Sequence, residues 1–317
     1  MGGFTWAAFE STEVFQTLNK LTEQPTTAFT VQDALERIHN LLLAEIEANR
    51  DRPPAAANKG KPELAGILPD CVADVLVQLA CRTEPRNQDR LVEFASQLYI
   101  QTELDPESNE PVTHDGGTVW SDDMLLRRSA SHTWGERLGA SGMETASGWG
   151  GAWGIHSRAD DLGLEEEKKQ RWINLVAFTA RLTSAARPPG PHSPLSFAHI
   201  ALWSLRAAFE GDIQPHEIIG TTTLRVACLW FSYAADALWY FVENDIPPES
   251  DFFSKPGSQY KEKEWKGFNH ERWDIWVHAL EQAQTACSEC DRDTMEIIQD
   301  ALAKAKSVTS AQAPVKD

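Results

Sequence analysis

Polar side chains recur within three apolar segments of the second half of the chain, at spacings that place them on one face of a helix. Each face also carries an aromatic residue. The faces are Asn174, Phe178 and Arg181 in segment 171–186; His199, Trp203 and Arg206 in segment 195–210; and Arg225, Ser232, Asp236 and Trp239, beside Tyr233, in segment 216–243. Charged groups in apolar surroundings are costly unless they are paired or solvated. Three interpretations stay open: buried Arg–Asp bridges that fix helix register, a pocket whose hydrogen-bond donors converge on a ligand, and ordinary solvent exposure.

Tryptophan is three times as frequent as tyrosine, with twelve residues against four. Most tryptophans lie from Trp120 onward, and indole rings bury large areas and form rigid apolar walls. We expect most of these rings to be core residues, although a helical bundle this rich in them can also enclose an aromatic-lined cavity. The candidate wall residues of such a cavity are Trp120, Asn174, Phe178, Trp203, Trp230, Trp239 and Trp273.

Motifs that bind metals or nucleotides are missing from the sequence. It contains no GxGxxG, GxxxxGK[ST], HExxH or GxSxG, and no two histidines share a metal-ligand spacing on one helix. Asp160 and Asp161 with Glu165 resemble the aspartate-rich magnesium motif of terpene cyclases, but the pattern fails at Leu164. We therefore predict neither a metal nor a cofactor.

The five cysteines are an odd number without the spacing of a disulfide framework, which is typical of a reducing compartment. Cys287 and Cys290 form a lone CxxC, for which a structural role is favoured and a redox or metal role stays open. The N-terminus has no secretory signal pattern, because Glu10 comes too early for an apolar segment. These features together predict a cytoplasmic protein.

The net charge of the chain is strongly negative, −18 at pH 7. A negative surface repels phosphate backbones and anionic lipids, so we expect neither nucleic acid nor a membrane as a partner. No apolar run approaches the roughly 20 residues that span a bilayer. The partner that we expect is a hydrophobic small-molecule substrate, and the sequence leaves the oligomeric state open.

Apolar residues recur with helical rather than alternating periodicity along most of the chain. Hydrophobic residues make up 42% of the 317 residues, which is enough for a sizeable core. Helices are predicted over 3–22, 29–50, 63–82, 87–101, 119–138, 164–186, 195–210, 216–243 and 269–306. The predicted fold class is all-α: a multi-helix bundle around an aromatic-rich core, with a glycine-rich loop insertion near the middle.

We interpret residues 1–317 as a single helical domain. Its parts are the N-terminal helices at 1–115, the Trp-rich helical half with the pocket at 116–306, and a frayed tail at 307–317. Residues 139–154 carry six glycines and two tryptophans, and so many glycines disfavour a regular element. This segment is either a mobile surface loop or a lid whose Trp149 and Trp153 close over a ligand.

Several medium-length strings, in order over residues 115–285, resemble a fungal family of all-helical proteins of unknown function found in secondary-metabolite clusters. The strings are VWSDD at 119–123, RWINLVAFTARLT at 171–183, ALWSLRAAFE at 201–210, CLWFSYAADALWYFVEND at 228–245 and GFNHERWDIW at 267–276. The chain also resembles the hetero-Diels–Alderases of tropolone–sesquiterpene biosynthesis, which likewise show no cofactor motif. No catalytic set is carried over from them to this chain.

This resemblance implies a cofactor-independent pericyclase that joins a tropolone quinone methide and a terpene. A cycloaddition needs apolar partners held in one geometry and a donor on the oxygen where negative charge grows. We expect the tryptophans to position the substrates, Arg181 or Arg206 to polarise the oxygen, and His199 or Tyr233 to move the proton. A non-catalytic helical scaffold and a small-molecule-binding protein stay open as alternatives.

Overall fold

The structure is a computed structural model. It describes residues 10–23, 28–51, 64–121, 125–133, 165–186, 190, 193–247, 254–287 and 290–310. The glycine-rich segment 139–154, including Trp149 and Trp153, lies outside these residues, as does the Asp160–Asp161 pair. The chain divides into two compact units, Met1–Ala130 and Ser131–Asp317, and each is described by itself. The single-domain interpretation stays a prediction.

The first unit is built from helices, two of which have an N-terminus capped by a threonine side chain. The described helices are α1 (Glu13–Asn19), α2 (Val31–Asn49), α3 (Leu68–Arg82), α4 (Asp89–Leu98) and α5 (Leu125–His132), with a short 3₁₀ helix at Pro85–Asn87. Thr30 caps α2 by a capping box with Asp33, which satisfies backbone N–H groups that the first helical turn leaves unpaired. α1 packs against α3, and α2 against α4.

A two-stranded hairpin lies between the helices predicted over 87–101 and 119–138, where the sequence predicts no helix. β1 (Thr113–His114) pairs in antiparallel fashion with β2 (Gly117–Thr118). The two connecting residues, Asp115 and Gly116, both have positive φ, 50° and 89°. Two-residue hairpin turns need this conformation and favour Asp-Gly, so a local turn signal was present in the sequence.

The second unit surrounds one long apolar helix. The described helices are α6 (Glu166–Ala185), α7 (Ala198–Phe209), α8 (Thr222–Glu243), α9 (His270–Ala286) and α10 (Arg292–Ser310), with 3₁₀ helices at Pro215–Ile218 and Ser258–Tyr260. α8 packs against α6, α7 and α10, and α9 pairs with α10. The predicted all-α class with aromatic clusters is confirmed.

Helix boundaries in the second unit differ from the predicted ones at two places. α8 begins at Thr222 rather than 216, because Gly220 has a φ of +76° and the Thr221 side chain accepts a hydrogen bond from the Leu224 amide as the N-cap. α10 continues to Ser310, so residues 307–310 are helical where a frayed tail was predicted. Residues 311–317 lie outside the described part of the chain.

Cys287 and Cys290 form a disulfide between the end of α9 and the start of α10. Their Cα atoms lie 5.1 Å apart, within the range that a disulfide requires. Cys71, Cys81 and Cys228 do not take part in this disulfide. The cysteine pattern had favoured a reducing compartment, so this pairing differs from the expectation.

A buried ion pair ties the C-terminus of α2 to the loop that precedes the hairpin. Arg50 Nη2 lies 3.0 Å from Asp105 Oδ1, and the Ser108 hydroxyl donates to Asp105 Oδ2 at 2.8 Å. The Arg50 guanidinium, followed by the Ser108 hydroxyl, holds the pKa of the Asp105 carboxyl well below its usual value. The ionised carboxylate is therefore stabilised in the folded chain relative to the unfolded chain.

We predict that Asp105→Asn lowers the melting temperature at pH 7 and that this difference shrinks below about pH 4. Because the pKa is lowered on folding, the stabilisation is complete above the unfolded pKa of about 3.9 and is lost as pH falls toward the folded value. Thermal unfolding followed by circular dichroism between pH 2.5 and 7 measures it. Asp51→Asn, at an exposed position, is the matched control. If Asp105→Asn lowers the melting temperature equally at pH 2.5 and at pH 7, the lowered pKa assigned to Asp105 is wrong.

Candidate functional site

One face of α7 carries the polar stripe that the sequence predicted. His199, Trp203 and Arg206 recur at intervals of four and three residues, and Glu210 follows at the helix C-cap. The imidazole of His199 meets the indole of Trp203 edge to face, with centroids 5.2 Å apart. The helix therefore brings these three predicted residues together in one line that ends at a carboxylate.

Arg206 places a buried guanidinium on this stripe, with only 2% of the residue exposed. Burial lowers the pKa of Arg206 to about 10; the nearby Glu210 carboxylate opposes this shift, and the Arg272 guanidinium adds to it. The side chain stays protonated at neutral pH. It is thus a fixed hydrogen-bond donor with a positive charge in a largely apolar region.

His199 is the half-buried member of the stripe. Its Nε2 lies 3.1 Å from the hydroxyl oxygen of Ser131, a hydrogen bond whose direction depends on the imidazole tautomer. A partly accessible imidazole that is hydrogen-bonded to a hydroxyl group is suited to proton transfer near neutral pH. This arrangement agrees with the proton-transfer role predicted for His199 but does not test it.

The stripe ends at a fully buried ion pair that the sequence analysis missed. Arg272 Nε donates to Glu210 Oε1 at 2.9 Å, and Nη2 donates to Oε2 at 3.0 Å. The remaining N–H groups of the guanidinium reach the backbone carbonyls of Ser254, Gly267 and Lys255, at 2.9, 2.6 and 3.1 Å. All five guanidinium donors are therefore used, which is the condition under which a buried charge is tolerated.

The carboxylate of Glu210 is enclosed as completely as its partner. Trp276 Nε1 donates to Oε1 at 2.9 Å, and the backbone amide of Gly257 donates to Oε2 at 2.8 Å. A Cβ atom at Gly257 would lie 2.4 Å from the Glu210 carbonyl oxygen, so only glycine fits this approach. The rings of Trp265 and Trp276 lie over Arg272, with centroids 5.3 and 5.9 Å from its Cζ.

The sequence contained a signal for this pair, although its two halves are 62 residues apart. Glu210 is the last residue of the ALWSLRAAFE string, and Arg272 lies inside GFNHERWDIW. Buried Arg–Asp bridges were one interpretation of the sequence, without a named pair, and Arg225 and Asp236 of the third segment are both exposed on α8. Buried charges do fix helices here, but through an Arg–Glu pair.

Arg181 and Tyr233 form a second group, across α6 and α8. The Arg181 guanidinium lies over the Tyr233 ring, 5.0 Å from its centroid, and both side chains are half-buried. This cation–π contact brings one predicted donor and one predicted proton-transfer residue together. The pair lies on helices other than α7, so the four predicted catalytic residues form two groups in the structure.

The predicted wall residues of the second unit are mostly core residues. Trp230 is fully buried, and its Nε1 donates to the Ser204 hydroxyl on α7 at 3.2 Å. Trp239 and Trp273 pack with centroids 5.1 Å apart, and Phe231 lies 5.2 Å from Trp273. These rings join α8 to α7 and α9.

The last three predicted wall residues lie on α6 and in the first unit. Phe178 is fully buried on α6, and the Asn174 side-chain oxygen accepts a hydrogen bond from Gln170 at 2.7 Å. Trp120 belongs to the first unit, where its ring meets Tyr99 edge to face at 6.0 Å. It has a φ of +68°, an unusual conformation for a bulky residue, and it is 1% exposed.

Residues 74–280 match a family model described as protein of unknown function, DUF3632. The chain belongs to this family. The matched region covers the α7 stripe, Arg181, Tyr233, and both members of the Glu210–Arg272 pair. No curated protein and no solved structure matches the chain.

Within the part of the chain that the structure describes, no group of three or more His, Cys, Asp or Glu side chains is arranged to hold a metal ion. None of the helices in this part combines the length and apolar character needed to cross a bilayer. The candidate site is therefore defined by the α7 stripe and the ion pair at its end.

We predict that Glu210→Gln lowers the free energy of unfolding by about 3–5 kcal/mol, because it leaves the buried Arg272 charge without its counter-ion. Urea denaturation followed by circular dichroism measures this loss. Glu296→Gln, which removes one partner of the exposed Arg292–Glu296 pair, is the control and should change stability very little. A loss at Glu210 no larger than the control would show that the buried pair does not stabilise the fold.

Proposed function

We propose that the chain is a cofactor-independent cyclase that catalyses a hetero-Diels–Alder cycloaddition on a hydrophobic intermediate in fungal secondary metabolism. The observation that carries this proposal is the α7 stripe, where a buried Arg206 guanidinium follows Trp203 and His199 on one helix face. The resemblance of the chain to the hetero-Diels–Alderases of tropolone–sesquiterpene biosynthesis, stated under Sequence analysis, suggests the reaction class. A quinone-methide-like tropolone and an unsaturated terpene are the proposed substrates.

Each residue of the stripe meets one requirement of such a reaction. In this proposal Trp203, which is 2% exposed, forms the apolar wall that restricts how two hydrophobic partners approach each other, which supplies effective concentration. Arg206 is a charged donor for the substrate oxygen on which negative charge grows, and a buried charge acts more strongly there than in water. No electron exchange with a cofactor is required, because a cycloaddition only rearranges bonding electrons between its partners.

His199 supplies the acid in this scheme. A protonated imidazole donates a proton to a substrate hydroxyl group, which leaves as water, and the ring hydroxyl of the tropolone then loses its proton to solvent, which yields the neutral quinone-methide-like diene. The Ser131 hydroxyl, 3.1 Å from His199 Nε2, orients the ring. Arg181 and Tyr233 form the alternative donor and acid pair, and substitutions at the two groups separate the alternatives.

We predict that the purified chain forms the cycloadduct from a tropolone-type precursor and an unsaturated terpene faster than the spontaneous reaction, with EDTA present. Product stereochemistry by chiral chromatography is the main readout. Arg206→Met should lower the rate about 10²–10³-fold, as removal of an oxyanion donor does. Arg225→Met, at an exposed arginine of α8, is the matched control with unchanged activity.

Two outcomes of this experiment would overturn the proposal. A product ratio equal to the uncatalysed one rules out a cyclase for these substrates. Binding of the precursor without turnover instead identifies a small-molecule-binding protein. Circular dichroism of Arg206→Met distinguishes lost chemistry from lost folding, and Arg181→Met decides between the two groups of residues.

We predict that His199→Gln lowers the rate of diene formation about 10²–10⁴-fold, the range for removal of a general acid. Because the protonated imidazole is the active form, the wild-type rate should fall as pH rises, and the His199→Gln rate should lose this dependence. Rates between pH 5 and 9, measured with a precursor that must lose water, test the role. A substrate supplied as a pre-formed quinone methide should react equally fast with both proteins; if His199→Gln is slow with it too, His199 does not act as the acid.

A further inference from the structure

A separate cleft of about 410 Å³ lies within the second unit, along the face of α9 that starts at Glu271. Its other walls are the C-terminal end of α7, the chain from Ile213 to Pro215, and residues Gln259 and Tyr260. This volume falls in the range of small-molecule sites. Arg206 and His199 do not line the cleft, so it is distinct from the stripe described above.

The cleft combines an apolar floor with a polar rim. The floor is formed by buried or half-buried apolar side chains: Ala208, Phe209, Ile213, Ile275 and Ala279. On α9, the rim residues recur at intervals of three and four: Glu271, Asp274, His278 and Gln282. From Glu271 to Gln282 the helix rises by eleven steps of 1.5 Å, about 16 Å, which suits an elongated ligand.

Charge on the rim is negative at the end of the cleft where α9 begins. Glu271 and Asp274 both line it, and its lining contains no Lys or Arg. Glu271 forms an ion pair with Lys263, which lies outside the lining, so Asp274 supplies the net negative charge. Hydrogen bonds from Lys263 and then Trp265 hold the pKa of Glu271 below its usual value, so this carboxyl is ionised at neutral pH. The Asp274 carboxylate is exposed and has no hydrogen-bond or ion-pair partner among the described residues.

Tyr260 adds an aromatic wall to the cleft beside these carboxylates. Its ring packs on Trp265 with centroids 5.2 Å apart, which fixes its position. Burial, with a further contribution from the Glu210 carboxylate, raises the pKa of Tyr260, so the hydroxyl stays neutral. A neutral phenol ring next to carboxylates is a combination that binds organic cations.

We propose that this cleft binds a small organic ammonium ion with a hydrophobic body. The apolar floor holds the body, and Asp274, with Glu271 nearby, pairs with the ammonium group. Anions are repelled by the two carboxylates, and a neutral ligand of the same shape gains no ion pair. The net charge of −18 for the whole chain also attracts a cationic ligand.

Calorimetric titration of the full chain at low salt with 2-phenylethylamine, 2-phenylethanol and 3-phenylpropanoate tests this proposal. We expect the amine to bind at least tenfold more tightly than the alcohol, and the carboxylate not to bind. Asp274→Asn should weaken the amine about tenfold and leave the alcohol unchanged. Gln259→Lys, which adds a cation to the exposed rim, should weaken the amine as well and provides a second variant.

Two exposed positions that do not line the cleft provide matched controls, Asp236→Asn and Gln299→Lys. Both should leave the amine affinity unchanged. Equal affinity for amine and alcohol, or amine binding that neither cleft variant weakens, overturns the proposal. Because the cleft does not involve Arg206 or His199, these outcomes are independent of the cyclase assay.

Discussion

The Glu210–Arg272 pair is the constraint on which the second unit depends. A guanidinium and a carboxylate that are both fully buried are stable in an apolar interior only when their hydrogen-bonding groups are satisfied. Here, that requirement fixes the end of α7, the start of α9 and the chain at 254–257 and 267 in one arrangement. A pair of this kind contributes more to specifying the structure than to net stability, since desolvation offsets much of its attraction.

The position of the pair on α7 also explains the electrostatics of the stripe. Glu210 is the C-cap of α7, where the helix dipole disfavours a carboxylate, and Arg272 compensates for that cost. Arg206, in the last turn of the same helix, lies where the dipole favours a cation. The same helix end thus stabilises the buried guanidinium that the proposed chemistry requires, while Arg272 holds the carboxylate beside it.

Helical periodicity was enough to predict the fold class and most helices, because each helix buries a regular apolar face that can be read locally. It failed where residues with positive φ break the regular backbone. Gly220 delays the start of α8, and Asp115 and Gly116 form the hairpin turn. The grouping of His199, Trp203 and Arg206 was predictable because one helix sets it. The Glu210–Arg272 pair was not, since it depends on which of many charged residues meet after the helices pack.

A proposed reaction that relies on positioning needs donors that do not move when the substrate binds. The end of α7 is fixed by four hydrogen bonds to the Glu210 carboxylate, two from Arg272 and one each from Trp276 and the Gly257 amide. Side chains on such a helix meet this need better than side chains on a loop. Trp203 is held from one side by His199, and the neighbouring Ser204 binds Trp230 of α8, so the middle of α7 is also anchored. The ion pair and the stripe are therefore linked through α7, and the buried charges of the pair hold the residues of the proposed site in place.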